Sequence, residues 1–366
     1  MKYCTIVLLG LAILLPNYSG LIAAEVKLQP DTVSKRKSIK YRFLPSAYYL
    51  PETRIAAGGV FFAIIASPDS PRKTGNLQHY ISFTQNRQIL FENSWQIFGA
   101  GNAWLWQGNA DFNRFPELFF GIGRSDSICL PVLYRANQVN FQQQLLKKVG
   151  KHLFVGISTS LNHLSRPEVI NHAMPEKLLQ ANGGMGFWAG RYGPALVYDS
   201  RDFALNTKQG TYLEISAVQG FFQSGKPFYF ISNDYRKFIP IKKLSSVLAI
   251  QAVHRISKGE IPFRLMPSLG GASLMRGYYF GQLRNNMIWM VQTEWRQHIA
   301  GRFGLVGFGG IGNFAAGYSS LFDELHSQIG LGLRCKVNKN ERVNMRLVYA
   351  HTGKYSNFYV VLAEAF

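Results

Sequence analysis

Acidic residues are scarce in this chain: 20 Asp and Glu stand against 40 Lys and Arg in 366 residues. Charge of either sign is also thin, at 16% against about a quarter in ordinary soluble domains. Three cysteines, one of them Cys4, are too few to staple a disulfide scaffold. Beyond the extreme N-terminus no apolar run is long enough to cross a bilayer as a helix, which excludes a helical polytopic membrane protein. What is abundant points elsewhere. With 27 Phe, 18 Tyr and 6 Trp the chain carries too much aromatic surface to stay disordered, and 35 Gly mark it as glycine-rich. The net charge of +20 is compatible with nucleic acid or with an anionic membrane, and composition does not separate them.

The N-terminus does separate them. Lys2 precedes an almost unbroken apolar stretch from Ile6 to Leu15, Pro16-Asn17 breaks it, and Ile22-Ala23-Ala24 supplies small residues before Glu25. This is the layout of a secretory signal over residues 1–24. Export argues against nucleic acid as a partner, so the excess charge is expected to meet lipid head groups or an exported substrate. Residues 25–53 are basic and irregular, with Lys35-Arg36-Lys37, Lys40, Pro45 and Pro51, and read as a periplasmic lead-in with little structure of its own.

From Arg54 to Phe366 polar and apolar residues alternate. Ile329, Leu331, Leu333, Cys335 and Val337 oppose Gly330, Gly332, Arg334 and Lys336; Val343, Met345, Leu347 and Tyr349 oppose Arg342, Asn344 and Arg346. A strand with one face in lipid and the other in an aqueous lumen needs this period of two. A soluble β-sandwich would alternate as well. The number of such strands, their span of roughly 9–11 residues and the lack of amphipathic helices favour an all-β transmembrane antiparallel barrel. About 310 residues at about 20 per strand and connection predict 16 strands. About 15 are directly readable, and the sixteenth is expected within the ambiguous stretch from Phe115 to Leu133. The chain ends on a strand signal, Phe358, Val360, Leu362 and Phe366, with Glu364 expected at the membrane interface. A last strand pairing with the first removes both sheet edges.

Four stretches in order carry a resemblance: Phe120-Gly121-Ile122-Gly123; Tyr198-Asp199-Ser200-Arg201-Asp202 with downstream Gly210; Leu269 to Tyr278, ending Arg276-Gly277-Tyr278; and the terminal strand. Together they resemble the BamA/TamA-type outer-membrane assembly and translocation barrels, also called the bacterial surface antigen superfamily. The resemblance implies that a long loop bearing Arg276, Gly277 and Tyr278 folds into the lumen, where the arginine meets acidic groups. By alternation from Met287 to Arg296, Glu294 faces the lumen and is the expected partner. The competing reading leaves Arg276 solvated and pairs Glu294 with Arg296 or another lumen base. The family pattern Phe-x-Asp-x-Gly reads here as Phe308-Gly309-Gly310-Ile311-Gly312, so the second carboxylate is replaced by Gly310. The stretch between Ala24 and Arg54 is also too short for a periplasmic POTRA domain, so a short member lacking those domains is expected.

The resemblance implies insertion or translocation of protein or lipid at the outer membrane of a Gram-negative bacterium, by non-covalent means. Outer-membrane lipids, and exported proteins or a separate periplasmic partner, are the expected partners. Arg296, Arg334, Lys336, Arg342 and Arg346 on lumen faces suggest the alternative, a passive anion-preferring channel. A third reading, a lipid hydrolase, rests on His163 and Ser165, close in sequence near a strand end. The eight scattered histidines match no metal motif, and no catalytic residue, metal or cofactor is expected.

Overall fold

The computed structural model describes residues 38–50, 54–67, 70–85, 88–123, 131–171, 175–222, 225–338, 343–362 and 364–366. The expected leader over 1–24 lies outside them. Strands dominate: β1 (Ser38–Leu50), β2 (Arg54–Ser67), β3 (Ser70–Thr84), β4 (Ile89–Phe98), β5 (Trp104–Phe119), β6 (Val132–Lys148), β7 (Leu153–Leu164) and the short β8 (Glu168–Val169). After helix α1 (Pro175–Leu179) come β9 (Phe187–Asp199), β10 (Gly210–Phe222), β11 (Pro227–Ile241), β12 (Ser246–Gly259) and the two-residue β13 (Ser268–Leu269) and β14 (Leu283–Arg284). The series ends with β15 (Met287–Ala300), β16 (Phe303–Ala315), β17 (His326–Asn338), β18 (Val343–His351) and β19 (Ser356–Leu362). Successive long strands pair antiparallel in one large sheet, with β7 meeting β9 and β12 meeting β15 across inserted connections. Strand β8 joins the edge of β6, and β13 pairs with β14 in a separate ribbon. No helix among the described residues is long and apolar enough to cross a membrane.

The sheet is built inside out relative to a soluble protein. In β17, Ile329, Leu331 and Leu333 are 64%, 67% and 57% exposed, while Gln328 is buried. In β18, Met345 and Leu347 are exposed while Asn344 and Arg346 are buried. A soluble sandwich would reverse this assignment. Apolar side chains outward and polar ones inward is the arrangement of a barrel wall in lipid. Glycines on the inner face leave room for large neighbours: a Cβ on Gly330 would stand 2.1 Å from the Phe308 ring.

Two sequence expectations need correction. Residues 38–50 are strand β1, matched with β2 from Ser38↔Ala66 to Leu50↔Arg54, and not an irregular lead-in. Ile39, Tyr41, Phe43 and Tyr49 are exposed along it at alternate positions; the intervening Lys40 and Arg42 made the stretch look like a charge run. Correspondingly, the described residues of 115–133 form the end of β5 and the start of β6 and no additional strand, and 124–130 lie outside the described residues.

The inner face is filled chiefly by the 260–286 connection between β12 and β15. Ile261, Phe263, Leu269, Met275, Tyr278 and Leu283 of this connection are all buried. Phe263 packs edge-on against Phe119 and Tyr134, with ring centroids 5.1 and 6.0 Å apart. Met275 and Tyr278 join Val253, Ile288, Met290 and Phe314 in a second cluster. A third cluster, of Phe98, Leu105, Leu146, Phe154, Val197 and Tyr212, lies toward the far ends of β4–β10.

Candidate functional site: the inner loop and its charged anchor

The loop reaches the wall through Arg276, whose side chain is 1% exposed. Its Nη1 donates to Glu294 Oε1 at 2.5 Å, and its Nη2 lies 3.4 Å from Gln292 Oε1. The guanidinium carbon stands 3.6 Å from the centroid of the Phe308 ring, a cation–π contact out of water. Alternation along β15 places Gln292, Glu294 and Arg296 on the inner face. Glu294 is shared: its Oε2 accepts from Arg296 Nε at 2.9 Å, and Arg346 Nη1 stands 3.7 Å from its Oε1. Thus both partners weighed from sequence, Arg276 and Arg296, sit on the same carboxylate.

The next two residues tie the loop to the last strands. Gly277 N–H donates to the Tyr359 hydroxyl at 2.9 Å, and Asn357 Nδ2 donates to Gly277 O at 2.6 Å. Gly277 has φ +104°, and a Cβ there would stand 2.4 Å from Thr352 Cγ2, so only glycine fits. Tyr278 is buried edge-on to His326 and Tyr355.

A family model for the Omp85 superfamily domain matches residues 126–359. The chain belongs to the Omp85 superfamily. Its apolar-out wall and Omp85 membership make it an outer-membrane β-barrel of a Gram-negative bacterium. Similar solved structures include BamA from Haemophilus ducreyi lacking POTRA domains 1-3, at 13% identity and a TM-score of 0.57, covering 90% of this chain and 70% of that one. CdiB from Acinetobacter baumannii aligns at 11% identity and a TM-score of 0.57, covering 90% and 66%. CdiB from Escherichia coli follows at 10% and 0.53, covering 89% and 62%. At these identities the likeness is one of fold, and the chain spans between six- and seven-tenths of those proteins' length. No curated protein sequence matches it.

In this Omp85 chain amides stand around the position of the missing second carboxylate. A Cβ on Gly310 would meet Gln292 Cβ at 2.8 Å and Gln328 Nε2 at 2.9 Å. Gln328 Nε2 donates to Gln292 Oε1 at 2.8 Å, and Gln292 Nε2 donates to Gln251 Oε1 at 2.7 Å and to Ser273 O of the loop at 2.9 Å. Around Arg276 the loop is therefore held by one carboxylate and a glutamine relay, while Arg264 of the same loop donates to the buried Glu117 of β5 at 3.0 Å and to Gln138 Oε1 at 3.0 Å.

A second acid was missed from sequence. Glu364, expected at the interface, is buried and takes hydrogen bonds from Arg334 Nη2 and Asn344 Nδ2. Strand β19 stops at Leu362, so the alternation that put Glu364 on the outer face no longer applies. For the same reason Phe366 leaves the outer face of Phe358 and Val360. Its ring lies 6.3 Å from Phe238, and its main-chain oxygen accepts from Arg296 Nη2 at 3.0 Å. Four arginines (276, 296, 334 and 346) thus share Glu294 and Glu364.

The Asp199-Arg201-Asp202 motif lies at the other end of β9. Asp199 receives Arg201 Nε and Nη2 at 3.0 and 2.9 Å, and Arg201 covers the Tyr212 ring at 4.3 Å. Asp202 Oδ1 accepts from Lys208 N–H at 2.9 Å, closing the 200–209 connection onto Gly210, whose φ is +121°. The hydrolase reading finds no pairing: His163 Nδ1 contacts Phe187 O at 2.9 Å and its ring stacks on Trp188, while Ser165 Oγ accepts from Asn137 N–H at 2.8 Å.

Proposed function

We propose that the chain inserts or translocates protein or lipid at the outer membrane, acting through the junction of its first and last strands. The observation that carries the reading is an asymmetry at β1. One edge of β1 pairs with β2 along the whole strand, whereas among the described residues the other meets β19 at the single pair Tyr49↔Val360. Pro45 stands in this strand, and proline is tolerated where a strand edge needs no N–H donor. Leaving aside the two-residue β8, β13 and β14, sixteen long strands remain among the described residues, and we read the sheet as a barrel closed by this one weak seam. An unpaired strand edge is a template on which an incoming strand adds. The inner loop is positioned to sense the seam, because Gly277 bonds to Tyr359 and Asn357 of β19.

Residues 1–24 act as the export signal in this reading. By the general rule of short periplasmic turns, the 200–209, 242–245 and 301–302 connections face the periplasm and the 260–286 loop enters from the cell exterior. The passive-channel reading is weakened by the same cluster, since Arg296, Arg334 and Arg346 are engaged by Glu294 and Glu364. A disulfide across the seam tests the proposal: Tyr49→Cys with Val360→Cys, at paired Cα positions, should abolish export or insertion in cells and restore it on reduction. Full activity with the seam oxidised would overturn it.

A further inference from the structure

A cavity of about 360 Å³ opens where the 200–209 connection, the Lys242–Leu244 turn and the 301–302 turn come together. Its cations are Lys208, Lys242, Arg296, Arg302, Arg334 and Lys336, with His298 beside them, and among the described residues no carboxylate lines it. Two of the six cations are balanced from behind: Arg296 by Glu294 at 2.8 Å, and Arg334 by Glu364, which also stands 3.9 Å from Arg296. Lys208, Lys242, Arg302 and Lys336 form no ion pair among the described residues. Behind the lining lie three buried donors with nothing to donate to. Arg296 is 1% exposed with no hydrogen-bond partner for Nη1, Ser246 is 4% exposed with none for Oγ, and Arg334 Nε is likewise buried and unsatisfied.

Four unbalanced like charges around one cavity repel. One guest answers the charge: a compact group with about two negative charges and three acceptor oxygens. A phosphomonoester has this chemistry, and guanidinium forks match its geometry. We propose that this cavity binds a phosphomonoester group, supplied by a soluble phosphate compound or by a lipid headgroup. A monoanionic carboxylate would leave more of the charge unanswered. The cavity is within the size range of small-ligand sites. The proposal stands apart from the translocation reading and survives its failure.

The test uses the full chain in uncharged maltoside micelles at constant ionic strength. Calorimetric titration is run with inorganic phosphate, with short-chain phosphatidic acid, and with phosphatidylcholine of the same chain length. Saturable binding of phosphate or phosphatidic acid, but not phosphatidylcholine, is expected. Binding of both assigns the bare group, and binding of phosphatidic acid alone assigns the lipid source. Arg302→Glu with Lys336→Glu should weaken binding at least tenfold. Lys208→Glu with Lys242→Glu, at exposed positions on other connections, should do the same. Arg166→Glu with Lys177→Glu, an equal charge change on the connection at the opposite end of β9, should leave affinity within twofold. No saturable binding of either phosphate ligand, or equal losses in all three double variants, would overturn the site.

Discussion

Glu294 holds two arginines at once, so neither pair can be weighed by itself. Removing the carboxylate leaves Arg276 buried without its counter-charge and Arg296 with only Glu364 at 3.9 Å, and breaking such a buried arrangement costs about 3–5 kcal/mol. Arg276→Ala leaves Glu294 still paired with Arg296 and should cost less. The double variant should be no worse than Glu294→Ala, because deleting Arg276 also removes one stranded charge. Protease cutting within 260–286 and the temperature of the folded-to-unfolded gel shift read this order; fully additive losses would break the coupling. Gly277→Ala tests the same contact through the backbone. With φ +104° and Thr352 Cγ2 at 2.4 Å from the added Cβ, strain of about 1–3 kcal/mol is expected, visible as a lower gel-shift temperature. Arg276 and Glu294 could be paired in advance because one came from a recognisable motif and the other from strand parity. Glu364 could not, because parity ends with the strand at Leu362.

At the level of elements, strands were legible wherever their two faces differed in polarity, as in β17 and β18. Strand β1 was hidden because Lys40 and Arg42 occupy alternate positions between Ile39, Tyr41 and Phe43, and a cluster of bases resembles a solvated tail when its period is overlooked. The Asp199–Arg201 pair makes a prediction at this scale. It organises the 200–209 connection, and Asp199→Asn would lose the charge from both bonds to Arg201. The expected result is faster proteolysis of 200–209 with little change in the 260–286 loop, since the two connections emerge at opposite ends of the strands they join. Equal cutting of both loops would show that the pair stabilises the wall as a whole and not its own turn.

For the whole molecule, an inner loop packed against Phe119, Tyr134, Met290 and Phe314 should leave little free conduction path. In planar bilayers the intact chain is expected to give low or erratic conductance. Deleting 267–283 should raise it severalfold, with anion preference from the inner arginines. A large, steady, anion-selective conductance from the intact chain would favour the passive channel instead. The apolar-out, polar-in wall was readable from sequence because it depends on neighbours two residues apart, which the chain itself keeps in order. The cationic cavity was not, because Lys208, Lys242, Arg302 and Lys336 belong to different connections and strands and meet only through the pairing of β9 to β18. Local alternation thus determined which face of each strand meets lipid. Register between strands far apart in the chain determined which charges face one another, and that is a property of the folded sheet alone.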